Sequence, residues 1–243
     1  MSTPSVIAVI GGGGRMGREV LAALVGAPEL GRAVAVDPVE PSGPLAGNPQ
    51  CYKCLDALLE TGSRGLAIDV SLPDGAADRI RALAEAGWPL VEGTTGLDAG
   101  AEAAILSASR RIPLVRAPNF SPGVALLRRA VAAVLRGQGS DWEVAVLDRH
   151  HRAKKDAPSG TARLLGETIR DALGRDPQIA SFRQGGVVGE HVVHMASSEE
   201  ELVFTHRAFS RGAFARGALL AAAFAREAAP GLYAMDDVLG LSG

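Results

Sequence analysis

Residues 149–162 read RHHRAKKDAPSGTA, a stretch that crowds two histidines, two lysines, an aspartate and a Ser-Gly-Thr turn together without a large apolar side chain. Each residue type brings its own chemistry. An imidazole holds or releases a proton near neutral pH, as general acid catalysis requires. Lys154 or Lys155 supplies positive charge for a carboxylate. Pro158-Ser159-Gly160-Thr161 precedes a segment whose Leu165, Ile169 and Ala172 share one helical face. The N–H groups of that helix start, with two hydroxyls, form an anion site. The combination reads as a loop that binds a small acid and protonates it; a solvated polar loop before a capped helix is the plainer alternative.

A second constellation lies near the start. Val6–Ile10 is a β-branched run that ends in GGGG, after which Met16, Val20, Leu21 and Leu24 recur at helical spacing. Gly12-x-Gly14-x-x-Gly17 thus falls after a strand and opens a helix, where glycines let the backbone approach a pyrophosphate that rests on the helix N-terminus. Asp37 follows Gly17 by twenty residues at the end of the next strand, Ala33–Val36, in position for a ribose diol. Pro38, Val39 and Glu40 offer no cation for a 2′-phosphate, so NADH is expected to be preferred, with NADPH possible because Arg15 lies in the turn.

The elements that must position these groups alternate. Strands are expected at Gly65–Val70, Pro89–Glu92 and Ile112–Val115, and helices at Ala76–Ala86 and Ala99–Ser109. Pro38–Gln50 reads as a surface excursion. Alternating strands and helices predict a Rossmann-like parallel sheet covered on both faces. The loops at Gly93-Thr94-Thr95-Gly96 and Ala117-Pro118-Asn119-Phe120 leave strand ends of that sheet and are expected to border the nicotinamide end of a cofactor. Beyond about residue 120 the pattern changes. A helix at Gly123–Leu135, a strand at Trp142–Leu147 and a helix at Thr161–Leu173 precede two strand-like runs, 187–196 and 201–209, with no helix between them. That predicts a smaller α+β domain with a mixed or antiparallel sheet. An alanine-rich helix at 213–227 is expected to return to the first domain. The division is therefore 1–121 with 211–243 for the dinucleotide, and 122–210 for substrate and oligomer contacts.

Bulk composition adds exclusions. The chain has 243 residues, 47% apolar and 21% charged, with a net charge of -2, so nothing in its electrostatics calls for nucleic acid or a membrane surface. No apolar run is long enough to span a bilayer, and the N-terminus lacks the pattern of a secretory leader. Cys51 and Cys54 build no disulfide framework, which fits a cytoplasmic protein. Their CxxC spacing lacks a second ligand pair, so no metal site is expected. Three histidines (His191, His194 and His206) fall on the strands of the second domain, in sheet packing or substrate contact. Trp88 and Trp142 are expected in the core, and Arg183 and Arg211 in ion pairs.

EVAVLDRHHRAKKDAPSGTA (143–162) resembles the signature of the dihydrodipicolinate (4-hydroxy-tetrahydrodipicolinate) reductase family, E-x-H-H-x-x-K-x-D-A-P-S-G-T-A. The likeness extends to GGGGRMG (11–17), VEGTTG (91–96), APNFSPGV (117–124), RQGGVVGEH (183–191), HRAFSRGAFARGA (206–218) and GLYAMDDVLGL (231–241). The resemblance implies hydride transfer from a nicotinamide to a cyclic imine dicarboxylate. His150 would be the acid and Lys154 the second catalytic group. His151, Ser159, Gly160 and Thr161 would hold substrate carboxylates. Gly11, Gly12, Gly13, Gly14, Arg15, Met16, Asp37, Gly93, Thr94, Thr95, Ala117, Pro118, Asn119 and Phe120 would hold the cofactor. The family is typically a homotetramer joined through the second domain's sheet, a role the 187–209 strands could fill. The sequence departs from the pattern in three places. Asp148 stands at the glutamate position, a glycine-rich insert is missing between Gly174 and Ser181, and the 37–69 region is short. The shorter acid at 148 is expected to shorten whatever hydrogen bond supports the following histidine; His150, Lys154 and Ser-Gly-Thr themselves are kept, so the departures bear on trimmed loops and oligomer contacts rather than on the reaction. Two other readings remain: another NAD-dependent reductase or dehydrogenase of a small dicarboxylate or amino acid, and a nucleotide-binding module without catalysis.

Overall fold

The computed structural model describes residues 6–137 and 142–241. The chain divides into two compact units, one up to Phe120 and again from Phe214, the other Ser121–Ala213.

The first unit is built on a seven-stranded parallel sheet. Its elements are β1 (Val6–Ile10), α1 (Arg15–Val25), β2 (Arg32–Val36), β3 (Gln50–Tyr52), α2 (Leu55–Leu59), β4 (Gly65–Asp69), α3 (Ala76–Glu85), β5 (Leu90–Glu92), α4 (Ala99–Ala108) and β6 (Pro113–Arg116). The strands run in the order β11-β6-β5-β4-β1-β2-β3, where β11 is Gly231–Tyr233 near the C-terminus. All residues of β1, β4 and β5 are buried, as expected of strands covered on both faces. Ile80 and Leu83 of α3 and Ile105 of α4 join Val6, Ala8, Leu90 and Leu114 in one core. The strand order reverses at β1 and β4, the place where parallel sheets open a crevice at their carboxyl ends.

α1 buries Gly17, Val20, Leu21 and Leu24, the stripe its spacing predicts. Gly17 has a stricter reason to be glycine. A Cβ there would lie 2.1 Å from the Gly11 carbonyl oxygen and 2.7 Å from Gly12 Cα, so only a bare backbone lets the helix approach the turn.

Besides two pieces of four residues or fewer, at Pro28–Leu30 and Met235–Val238, four elements escaped the sequence reading. β3 and β11 are three-residue pieces at opposite sheet edges, too short to carry a period. α2 has five residues. The fourth, β8 (Gln178–Arg183), lies in the second unit and alternates exposed with half-buried positions.

That second unit contains α5 (Pro122–Gly137), β7 (Glu143–His150), α6 (Gly160–Leu173), β8, β9 (Gly189–Ala196) and β10 (Glu201–Ala208). Its sheet has the order β10-β9-β7-β8. β7 and β8 are parallel, joined through α6, while β7/β9 and β9/β10 are antiparallel. Leu127, Val131, Leu165 and Ile169 from the helices pack with Trp142, Val146, Val193 and Met195. α7 (Gly212–Glu227) and α8 (Met235–Val238) complete the chain. Among the described residues no helix is long and apolar enough to cross a membrane.

One expectation needs correction. β7 was expected to end at Leu147 but runs on to His150. Val146, Asp148 and His150 are all buried on one face of it, so charged side chains continue a core alternation that polarity alone had marked as loop.

Gly17→Ala is expected to cost roughly 3 kcal/mol or more, as overpacking against rigid backbone does. Urea denaturation monitored by circular dichroism measures it, and a stability equal to wild type would contradict the close approach.

Candidate functional site

The glycine turn is drawn tight by backbone bonds from Gly11 N to the Val36 carbonyl at 2.9 Å and from Gly14 N to Gly11 O at 3.0 Å. Gly11 adopts φ +77°, and a Cβ there would meet Ser71 Cα at 2.8 Å. At Gly12 a Cβ would lie 2.9 Å from that of Ala35. α1 then starts on Gly14 with no side-chain cap and no acidic residue in its first turn. A helix start without an anion of its own fits a dinucleotide pyrophosphate. Asp37 Oδ2 accepts from Gly13 N and Oδ1 from Val39 N, each at 3.0 Å, so this carboxylate braces the turn. Arg18, absent from the sequence reading, does so too, with Nε donating to Gly13 O at 3.0 Å and Nη1 to Pro44 O at 3.2 Å. Arg15 is exposed and Met16 half-buried.

The two strand-end loops are packed against each other. A Cβ on Gly93 would sit 2.3 Å from the Phe120 ring, and Phe120 and Ala117 are buried. Thr94 is buried with its hydroxyl donating inward to Asp69 at 3.3 Å, whereas Thr95 and Pro118 are exposed and Asn119 is half-buried. Of the threonine pair, Thr95 is therefore the one whose side chain faces outward.

In the second unit the histidine segment is organised by Asp148. This carboxylate is fully buried. Its Oδ2 accepts from the Ser159 amide at 2.9 Å, Ser181 Oγ at 3.0 Å and Arg183 Nη2 at 2.9 Å. Its Oδ1 lies 2.9 Å from His150 Nδ1 and 3.6 Å from His191 Nε2; the His150 contact is close but misaligned for a good hydrogen bond. Burial opposes the ionised form, yet the contacts from His150, Ser159 and Arg183 outweigh it and hold the carboxyl well below the usual range. Arg183 Nη2 also donates to the Asp156 carbonyl at 2.6 Å, which ties β8 to the loop.

The other predicted residues fall close by in the chain's path. Ser159 caps α6, its Oγ accepting from Ala162 N at 3.2 Å and lying 3.3 Å from His191 Nε2. Gly160 is exposed at the first helical position, Thr161 is buried, and α6 has no acid in its first turn. Lys154 Nζ pairs with Asp156 Oδ1 at 2.8 Å, and His151 is half-buried. His150, His191 and His206 form a row, with ring centroids 5.2 Å and 6.1 Å apart. His206 Nε2 lies 3.1 Å from Ser121 Oγ, and His194 instead pairs with Glu201 at 2.9 Å. Burial and the neighbouring His150 push His191 down to about 4, against the pull of Asp148. Asp148, His150 and His191 bring three potential metal-ligand atoms within 4.8 Å of one another, but Arg183 already meets the charge of the carboxylate.

These geometries describe a tight glycine turn at an uncapped helix start in one unit and a cluster of buried ionisable groups beside a helix start in the other, and comparison with known proteins assigns the family. The model "Dihydrodipicolinate reductase, N-terminus" matches residues 5–120, and "Dihydrodipicolinate reductase, C-terminus" matches residues 123–239. The chain belongs to the dihydrodipicolinate reductase family. Among curated relatives, the 4-hydroxy-tetrahydrodipicolinate reductase of Rubrobacter xylanophilus is 39% identical over 267 aligned positions, covering 97% of this chain and 98% of the relative. That of Halorhodospira halophila is 37% identical over 263, with the same coverage. In fold the chain resembles a dipicolinate-bound dihydrodipicolinate reductase from Paenisporosarcina sp. TG-14, with a TM-score of 0.79 at 20% identity over 95% of this chain and 97% of the other. A myo-inositol dehydrogenase from Corynebacterium glutamicum shares the architecture more loosely, with a TM-score of 0.63 at 18% identity over 98% and 93%.

The largest gap in the sequence reading concerns Asp148, expected to support the following histidine but not to hold Ser-Gly-Thr. It contacts both. The signal was present as an acid two residues before a histidine on a strand, a spacing that puts both side chains on one face. Cys51 and Cys54 are both exposed and free.

Two pH windows follow. His191, held neutral below its ordinary 6.5, contributes stability that is present above pH 6.5 and lost as pH falls toward 4, about 3 kcal/mol in all. Asp148 contributes stability present above the ordinary aspartate value of about 4 and lost below it. Glu92, which burial raises to about 7, gives the opposite slope over the upper window, so each loss is read from denaturation between pH 3 and 8 as wild type minus variant. The difference from His191→Gln should grow from pH 4 to 6.5, and Asp148→Asn should cost roughly 3 kcal/mol at pH 7 by stranding Arg183.

Proposed function

We propose that this protein reduces 4-hydroxy-tetrahydrodipicolinate to tetrahydrodipicolinate with NAD(P)H, the 4-hydroxyl leaving as water and the hydride and a proton adding to the ring, in the diaminopimelate route to lysine. The observation that carries the reading is the pairing of the buried Asp148–His150 couple with the open start of α6, in a chain that matches reductases of that name over nearly its whole length.

When bound, a nicotinamide dinucleotide supplies the hydride. The residues of the first unit hold it. Gly11–Met16 receive the pyrophosphate at the start of α1, Asp37 takes the ribose hydroxyls, and the 93–95 and 117–120 loops receive the nicotinamide end. Asp37 is an acceptor with no cation after it, which favours NADH; the exposed Arg15 leaves NADPH usable. In the second unit the substrate's carboxylates meet the N–H groups at Gly160 and Thr161, the charge of Lys154 and the imidazole of His151. Ser159 acts as the cap that fixes this helix start. Asp148 faces His150 Nδ1 and so leaves Nε2 to carry the proton given to the ring. Lys154, held by Asp156 at 2.8 Å, exchanges that partner for a substrate carboxylate and keeps it oriented, so its loss affects KM as well as kcat.

A coupled assay tests this. Pyruvate and aspartate semialdehyde, with the upstream synthase, generate the substrate while NADH and NADPH oxidation are followed at 340 nm. The wild type should turn over, more efficiently with NADH. His150→Gln should lower kcat by about 100-fold or more, the usual scale of general acid catalysis, and pyridine-2,6-dicarboxylate should inhibit. Cofactor binding without turnover would reject the substrate assignment.

The sheet of the second unit suits a homotetramer. The face opposite its helices carries Ala145, Leu147, Val192 and Thr205 beside the ion pairs of Glu190 with Arg149 and Arg207 and of His194 with Glu201, with Val203 and Phe182 each 49% exposed. A mixed face of apolar residues and ion pairs of both signs fits a second copy of itself. Light scattering should give a tetramer mass for the wild type and a smaller species for Val203→Asp.

A further inference from the structure

A second buried acidic cluster, outside the histidine site, closes the C-terminal ends of β4 and β5. Asp69 and Glu92 are register partners on these strands, and both are 0% exposed. Asp69 is well compensated. Arg79 Nε reaches it at 2.8 Å, and Ser71 donates from N at 3.0 Å and from Oγ at 2.5 Å. Glu92 is not. Its Oε1 accepts from the Thr94 amide at 2.7 Å, while Oε2 is buried without a hydrogen-bond partner. The charged groups facing it are Asp69 from β4, Arg79 from α3 and its register partner Arg116 from β6; Arg116 is drawn off to Glu102 of α4 at 2.7 Å.

A carboxyl this deep with one free oxygen costs stability that a leucine would not. Its hydrogen bonding goes to Thr94, the second residue of the Gly93–Gly96 loop. We propose that Glu92 is a positioning residue for the cofactor loop: it fixes the Thr94 amide, and with it the loop that receives the nicotinamide end of the dinucleotide. The inference rests on the cofactor reading given above. Thr94 also bonds Asp69 at 3.3 Å, and Ser71, on the same carboxylate, backs against Gly11. Glu92 therefore anchors the loop to the strand ends from which the glycine turn also springs.

The grip depends on protonation. Burial, and then Asp69, push Glu92 up to about 7, so both forms exist near neutrality. The ionised form holds the amide through a charge-assisted bond and the neutral form more weakly. Because this carboxyl is raised, the stability it gives is full below about pH 4.5 and is lost as pH rises toward 7. The loop tightens over the same range in which the fold loosens.

The test uses the full chain as wild type, Glu92→Gln and Glu92→Ala. NADH affinity is read from nicotinamide fluorescence at pH 6 and 8.5, and amide hydrogen exchange is followed in parallel. The wild type should bind NADH about five-fold more tightly at pH 8.5 than at pH 6, the difference between a charged and a neutral acceptor. Glu92→Gln, which keeps the acceptor but cannot ionise, should show no step. Its melting temperature should exceed wild type at pH 8.5 and match it at pH 5. Glu92→Ala should lose about ten-fold in affinity, with faster exchange at 93–96 and unchanged exchange in β4 and β5. A pH step that survives in Glu92→Gln overturns the proposal, as does wild-type exchange of the loop in Glu92→Ala. If Glu92→Ala does not fold, the Glu92→Gln profile decides alone. Failure of the wild type to bind NADH or NADPH would instead reject the cofactor reading, whatever the exchange data show.

Discussion

The second unit depends on one buried charge. Asp148 is fully enclosed, and an uncompensated carboxylate there would be prohibitive. Its compensation comes from four directions: His150 on its own strand, Ser159 at the start of α6, and Ser181 and Arg183 on β8. Satisfying one anion therefore fixes the His150 ring, the helix start and the neighbouring strand together. The order of this whole segment is a by-product of making that charge tolerable. The same holds for His191, whose burial keeps it neutral and so lets it pack against His150 without repelling the imidazole when that ring carries a proton.

The first unit is set by an opposite constraint, the absence of side chains. Gly11, Gly12 and Gly17 each hold a place where a Cβ would collide with backbone or core. The helix start they permit carries partial positive charge and no capping acid. Asp37, bonded to Gly13 and Val39, adds the only carboxylate the turn itself engages among the described residues. An uncapped helix start and an acid at the end of the next strand are thus held side by side by one parallel strand pair.

Much of this was legible in the residues. The β-branched run Val6–Ile10, the helical spacing after it, the glycines and Asp37 made the first unit legible, because backbone crowding and periodicity are local properties. The RHHRAKKDAPSGTA segment exposed the chemistry and, through its resemblance, the family. What stayed hidden was long-range. β8 reads as polar because it is half exposed, yet Arg183 at its end is 35 residues from the Asp148 it neutralises. β3 and β11 are too short to show a period and exist because a sheet edge recruits them. The extension of β7 through Asp148 and His150 was missed because charge at alternating positions was read as solvent exposure, when here it marks burial with compensation.

The two buried acids make an instructive pair. Asp148 has three donors on Oδ2 and the His150 ring beside Oδ1, and its carboxyl is held far below the usual range. Glu92, equally enclosed, has one amide and a nearby like charge, and is pushed the other way. Both lie where a strand gives way to a functional loop, and both bind a backbone N–H of that loop, Ser159 in one case and Thr94 in the other. A backbone amide at a strand end cannot be fixed by side-chain packing; it needs an acceptor, and a buried carboxylate is the strongest acceptor the chain has. What differs is the surplus of donors around it. With a surplus, the acid is a permanent anchor indifferent to neutral pH. Without one, the same anchor becomes sensitive to protons in the range where the protein works, so the number of donors around a carboxyl decides whether it serves as scaffold or as control.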